Sequence, residues 1–379
     1  MTARARASTA SEPWLAGAIV TLVAVRVFVA VLLLASPPPA DPWIARAETL
    51  ARSPVTPYLH VPVALMPAET AAIELLGGDG DAATARRVVL VAFVADLAAA
   101  AALARGWGRR PAAAYLAVGL PLLGVAYLRL DLVAVAAAAW AAAAFRERRD
   151  ALSAVALGLA VWWKLWPIVL APAGWVGRRR AALGPAAAIV AVGGLAWFLW
   201  GGRDGPIQVL TSRGAVGWAV DSTVGSIVRL VTGETAIAEA NALRVGAIPL
   251  WARAASFVAL VATQVAIWHD AERDRDREPF GGTSVAAVAA LLALAPVSPT
   301  LAAAWVVPWV AVAISSDREE RRVATLAIGA IALSGILALR GPVDQGTVPT
   351  LLALTRNLLW VAVVASWLTR PITRRATLR

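Results

Sequence analysis

Residues 151–177 read ALSAVALGLAVWWKLWPIVLAPAGWVG and lie between two arginine clusters, Arg146/Arg148/Arg149 before and Arg178/Arg179/Arg180 after. Arginines beside membrane segments are retained on the cytoplasmic side. If both clusters stay there, the chain between them crosses an even number of times. One continuous helix would carry the second cluster across, whereas a break at Lys164–Pro167, into legs 151–163 and 166–177, returns it. Each leg falls short of the about 20 residues a lipid-facing span needs, so both are expected to be buried among other helices.

Working outward, the whole chain supports a membrane reading. Of 379 residues, 60% are hydrophobic and 16% charged, and the mean hydropathy is +0.70. That leaves too little polar surface to coat a globule of this size in water. Cysteine is absent, which excludes disulfides, thiolate metal sites and cysteine nucleophiles. Two histidines, His60 and His269, are too few for a multi-histidine metal centre. The net charge of +11 is therefore read as a topology signal, with no nucleic-acid partner expected.

The first apolar run, Trp14 to Ala35, is longer than a signal-peptide core of about 7–15 residues and is followed by Pro37-Pro38-Pro39, a poor cleavage context, so it is taken as the first span. Further apolar segments fall at 85–104, 111–128, 131–145, 151–163, 166–177, 181–201, 247–268, 283–296, 300–315, 323–339 and 350–369. Alternating from a cytoplasmic N-terminus places 21 of the 35 basic residues on the cytoplasmic side, and both termini with them. The expected architecture is an all-α polytopic membrane protein: a single integral domain over 1–379 with about twelve transmembrane helices, several of them half-length, leaving a cavity open to the outside. The half-length helices recur at 131–145, 283–296 and 300–315.

Two outer loops are long, 36–84 and 202–246, and loops of that length are often functional. In the first, Trp43, Ile44, Ala47 and Leu50 share one face of a possible helix over 41–52, as expected of a helix lying in the membrane plane.

Charge inside a bilayer is costly enough to demand a partner or a function. Arg26 and Asp96 fall about 14 and 16 Å below the outer ends of their helices at 1.5 Å per residue, so they are expected to meet as a structural ion pair. Other polar groups crowd the outer rim. Asp41 follows the first span; Arg129 and Asp131 sit at one helix tip; Lys164, the only lysine, sits at another among Trp162, Trp163 and Trp166; Ser298-Pro299 occupies a third, with Trp305 and Pro308 behind. A carboxylate to take a proton, cations for a phosphate and indole faces for pyranose rings make a mixture suited to sugar transfer.

Four stretches carry a resemblance to a known family. Asp41 soon after the first helix is followed by Pro57-Tyr58 and Pro62, with His60 and Val61 where the family often has Tyr-Pro. Arg129-Leu130-Asp131 opens a helix ahead of Lys164-Leu165-Trp166-Pro167, similar to the family's Lys-x-x-Pro. Gly217-Trp218-Ala219-Val220-Asp221-Ser222-Thr223 is similar to its Gly-Trp-x-Ile-Glu-Ser-Thr pattern. Ser298-Pro299-Thr300-Leu301, with Trp305 and Pro308, resembles its Ser-Pro-Gln-Tyr followed by Trp and Pro. In this order the chain resembles the C-type polyprenyl-phosphate-sugar-dependent glycosyltransferases (the GT-C fold), and among them glycosyltransferase family 87, which includes mannosyltransferases acting on phosphatidylinositol mannosides.

The resemblance implies a cell-envelope enzyme that moves a sugar, expected to be mannose, from a polyprenyl-phosphate donor to a lipid or glycan acceptor on the extracytoplasmic face, with inversion. Asp41 would be the general base. Lys164, with Arg129, Arg213 and Arg356, would hold the donor phosphate; Tyr58, His60, Asp131, Trp218, Asp221, Ser222 and Ser298 would contact sugar or acceptor. The leaving group is already a phosphate, so neither a metal nor another cofactor is required. The competing class is a transporter or flippase of lipid-linked substrates, which would be expected to show paired halves and a midplane site instead.

Overall fold

A computed structural model describes residues 13–36, 67–76, 81–177, 180–201, 216–239, 242–274, 278–296, 300–340 and 346–370. Asp41, Tyr58, His60, Arg213, Ser298 and the amphipathic segment 41–52 lie outside the described residues.

The chain is helical and built for a membrane. Five helices are long and apolar enough to cross one: α1 (Pro13–Ala35), α3 (Asp81–Trp107, from Ala82 onward), α11 (Leu250–Arg273), α14 (Arg318–Arg340) and α15 (Thr347–Leu368). Between them come α2 (Pro67–Leu76), α4 (Arg109–Val118), α5 (Leu123–Ala126), α6 (Asp131–Arg146), α7 (Asp150–Trp163), α8 (Ala173–Val176), α9 (Arg180–Gly201), α10 (Thr223–Thr232), α12 (Ser284–Leu294) and α13 (Val307–Ile314). The turn from α3 to α4 is made at Gly108, whose φ of 93° a side chain would resist.

The break in the opening stretch is present. Lys164 leaves the helix with φ −146° and ψ 136°, and a 3-10 turn, Trp166–Leu170, starts again with Pro167 near its beginning. Proline lacks the N–H that an unbroken helix would need there.

Alanine-rich α6 and α12, together with α13, form the centre. Every residue from Val285 to Ala290 is fully buried, as are Trp309, Val310 and Ala311. Small side chains let helix backbones approach closely where apolar burial alone gives no drive to associate. These three short helices are shielded from lipid, as their length requires. The legs around Lys164 differ from expectation: Leu152, Val155 and Leu159 on α7, and Ile168 and Trp175 beyond it, are exposed. The reason is packing geometry. One side of α7 lies on α6 and another on α9, and the stripe at spacings of three and four residues between those contacts is left facing outward.

The expected Arg26–Asp96 pair forms. Arg26 Nε donates to Asp96 Oδ2 at 2.7 Å, and Asp96 also accepts from the hydroxyls of Tyr115 (2.6 Å) and Tyr127 (2.8 Å). Two of the chain's three tyrosines thus converge on one buried carboxylate. The network ties α1 to α3, α4 and the segment after α5.

An all-α description omits one feature. Residues 216–249 hold a three-stranded antiparallel sheet, β1 (Trp218–Ala219), β2 (Ile237–Glu239) and β3 (Ala242–Val245), in the order β1-β3-β2, with α10 beside it. Trp218 pairs with Val245 and Ile237 with Arg244. Trp218, Ala236, Val245, Ile248 and Ala252 give this module a small core of its own.

The bundle has two chemically distinct ends. At one, Arg105 grips Glu147 through two bonds of 2.5 and 3.0 Å, Arg146 meets Glu278 at 3.0 Å and Arg370 meets Asp270 at 2.5 Å. Helix α6 runs from that end, at Arg146, to the other, at Asp131, over about 22 Å at 1.5 Å per residue.

Candidate functional site

The Asp131 end gathers the polar groups. Trp163 Nε1 donates to Leu130 O at 2.9 Å, which fixes the tip of α7 beside the start of α6. Leaving α7 in extended conformation, Lys164 places Nζ 2.8 Å from Glu69 Oε2 and 3.6 Å from Asp131 Oδ2. Asp131 accepts on its other oxygen from Trp305 Nε1 at 3.0 Å. The rings of Trp305 and Trp166 stack nearly parallel, centroids 5.5 Å apart and planes 8° apart. Arg129 is half-buried nearby, close enough to act electrostatically on both Glu69 and Lys164.

Glu69 stands in the first turn of α2, just after Pro67, where an acid is favoured by the helix dipole. Its burial is nearly complete. Burial pushes its carboxyl from the ordinary 4.5 up to about 7, with the like charge of Asp131 adding to the rise and Lys164 and Arg129 opposing it.

A second cluster forms around Asp221. Its Oδ2 accepts from the Thr300 hydroxyl at 2.6 Å, and that hydroxyl accepts from Arg356 Nη1 at 3.1 Å. Arg356 Nη2 and Asn357 Nδ2 both donate to the Asp221 backbone carbonyl, and Arg356 also donates to Asn357 Oδ1. Ser222 caps α10: its Oγ accepts from Gly225 N at 3.1 Å and donates to Ala219 O at 2.7 Å. Gly225 is required here, because a Cβ would lie 2.0 Å from Ala219 O.

The clusters are joined by the 3-10 turn Thr300–Trp305, with Thr300 bonded to Asp221 at one end and Trp305 to Asp131 at the other. Five steps of about 2 Å set them roughly 10 Å apart along the turn.

The expected site residues therefore separate by role. Lys164, Asp131 and Arg129 come together. Arg356, expected at the donor phosphate, has its guanidinium spent on Thr300, Asp221 and Asn357, because it anchors the 216–249 module to α15. Ser222 is taken up as a helix cap, and the Trp218 ring is packed in the module's core, so neither presents its polar or stacking surface to a ligand. A small apolar cavity lined by Ala141, Phe145, Ser153, Leu157, Gly174 and Phe280 lies toward the arginine end, away from this chemistry. Among the described residues no three His, Asp or Glu gather as a metal-ligand set.

Glu69 and Asn357 were not anticipated. Glu69 lies in the long 36–84 loop, where Pro67-Ala68-Glu69 is a helix-start pattern that signals a helix but not a partner for Lys164. Asn357 follows an arginine inside a membrane segment, where any polar residue needs a partner, but a count of charges passes over it.

Compared with known proteins, the chain matches no protein-family model and no curated protein.

Proposed function

We propose that this protein is a membrane-embedded glycosyltransferase of GT-C architecture with about twelve spans. It would transfer mannose from a polyprenyl-phosphate donor to a lipid or glycan acceptor at the Lys164 end of the bundle. That end faces away from the cytoplasm in this reading, since the arginine clusters crowd the other. The observation that carries it is the meeting of Lys164, Asp131 and Glu69 beside the stacked Trp166 and Trp305, at the tips of helices too short to reach across a membrane.

In the proposed step the acceptor oxygen attacks the anomeric carbon from the face opposite the phosphate. The C–O bond to phosphate breaks with its electron pair on phosphate, and the acceptor's proton passes to Asp41. Lys164 meets the charge on the leaving phosphate, and Arg129 supports it. An indole face such as that of Trp305 offers a stacking surface for a pyranose.

The test is direct. Purified protein incubated with radiolabelled polyprenyl-phosphate mannose and a membrane-lipid extract should move label into a new lipid or glycan product. Uptake of intact donor across a proteoliposome membrane with no transfer would favour a flippase and overturn this reading.

A further inference from the structure

Lys164 is engaged by the protein's own acids. Two carboxylates meet it, Glu69 at 2.8 Å and Asp131 at 3.6 Å. The partners differ in access: the Glu69 side chain is 1% exposed and that of Lys164 17%. The lysine thus keeps some accessible surface where the acid keeps almost none. An anion that approaches Lys164 meets the repulsion of both acids, which a poorly solvated site screens little.

Of the two acids, Asp131 is held on its second oxygen by Trp305. Glu69 is the more deeply buried, and burial already favours its neutral form. The groups acting on Glu69 are Lys164, Asp131 and Arg129. Of the elements packed on α2, α7 contributes Lys164 at its end, and α3 contributes Arg87, which donates to Leu76 O at the far end of α2.

We propose that Glu69 is a positioning residue which holds Lys164 and yields it to an incoming phosphate, taking up a proton from solvent as the lysine is released. Anion binding and protonation of a buried acid then form one event. The incoming negative charge is matched by the incoming proton, so the charge of the buried site is unchanged. This rests on Lys164 being the donor-phosphate contact.

The experiment uses the full-length protein in detergent and farnesyl methyl phosphate, a phosphodiester whose single negative charge does not titrate in the neutral range. Calorimetric titrations in buffers of different ionisation enthalpy count the protons taken up. Wild type should take up about one proton per ligand at pH values above about 7, with affinity falling toward tenfold per pH unit there. Glu69→Gln should bind more tightly than wild type at alkaline pH and lose that slope. Lys164→Gln should bind weakly at every pH.

If wild type and Glu69→Gln share one pH slope, or wild type takes up no proton, the proposal for Glu69 falls while Lys164 keeps its role. If Lys164→Gln binds as wild type does, it is the phosphate-contact reading that falls. Should Glu69→Gln fail to fold, the wild-type proton count decides alone.

Discussion

Thr300 and Trp305 stand at opposite ends of one 3-10 turn, and each donates a hydrogen bond to a carboxylate from a different part of the chain, Thr300 to Asp221 and Trp305 to Asp131. The turn therefore holds the 216–249 module and the tip of α6 in fixed register. Movement of the module would be felt at Asp131, and through it at Lys164.

That register gives a first prediction. Thr300→Val removes the hydroxyl shared by Asp221 and Arg356, and loss of a bond to a charged group costs about 1.5–3 kcal/mol. Asp221→Asn should cost less than that alone, and the two substitutions together should cost less than their sum. Limited proteolysis within 216–249 is the readout. Additive effects would show that Thr300 and Asp221 are not coupled.

Lys164 and Glu69 form a pair whose single and double substitutions separate stability from binding. Lys164→Gln removes the counter-charge of Glu69, which then holds a proton at neutral pH, so the loss is that of a buried polar contact, about 1–3 kcal/mol. Lys164→Gln combined with Glu69→Gln should recover most of the thermal stability and none of the donor affinity, which should stay about 10- to 150-fold below wild type. Recovery of both would make Lys164 a structural partner only.

The same acid makes a pH prediction. With its carboxyl raised to about 7, folded Glu69 holds its proton in a range where the unfolded chain has released it. Its contribution is present below the unfolded value of about 4.5 and lost as pH rises through about 7. Wild-type melting temperature should therefore fall between about pH 5 and 8, and Glu69→Gln should flatten that decline. Parallel curves would mean that Glu69 is ionised throughout.

Asp96 serves stability. Asp96→Asn leaves Arg26 buried without its counter-charge and should cost about 3–5 kcal/mol, whereas Tyr127→Phe removes one of three donors and should cost about 1–3 kcal/mol. Thermal unfolding in detergent measures both. An Asp96→Asn protein as stable as wild type would contradict the anchoring role.

Two further experiments bear on the proposed mechanism and sidedness. On the proposed mechanism, with Asp41 as general base, Asp41→Asn should lower turnover by about 10²- to 10⁴-fold with melting unchanged. Single cysteines at Thr235 and Ser315 in this cysteine-free chain should react differently with an impermeant maleimide: Thr235→Cys in intact cells, Ser315→Cys only after permeabilisation. The reverse pattern would invert the proposed orientation.

The sequence by itself determined what depends on composition and spacing along the chain. Hydropathy marked the apolar helices, the arginine clusters on both sides of 151–177 required the break that Lys164 makes, and depth counting paired Arg26 with Asp96. Only the tertiary structure decided which polar groups satisfy one another. Glu69 and Lys164 are 95 positions apart and Asp221 and Asn357 are 136 apart, and no periodicity in the chain encodes either meeting. Arg356 and Ser222 illustrate the reason. Each has the chemistry of a binding group, but a buried donor must find an acceptor wherever the fold provides one, and here the nearest acceptors belong to the protein's own backbone and side chains.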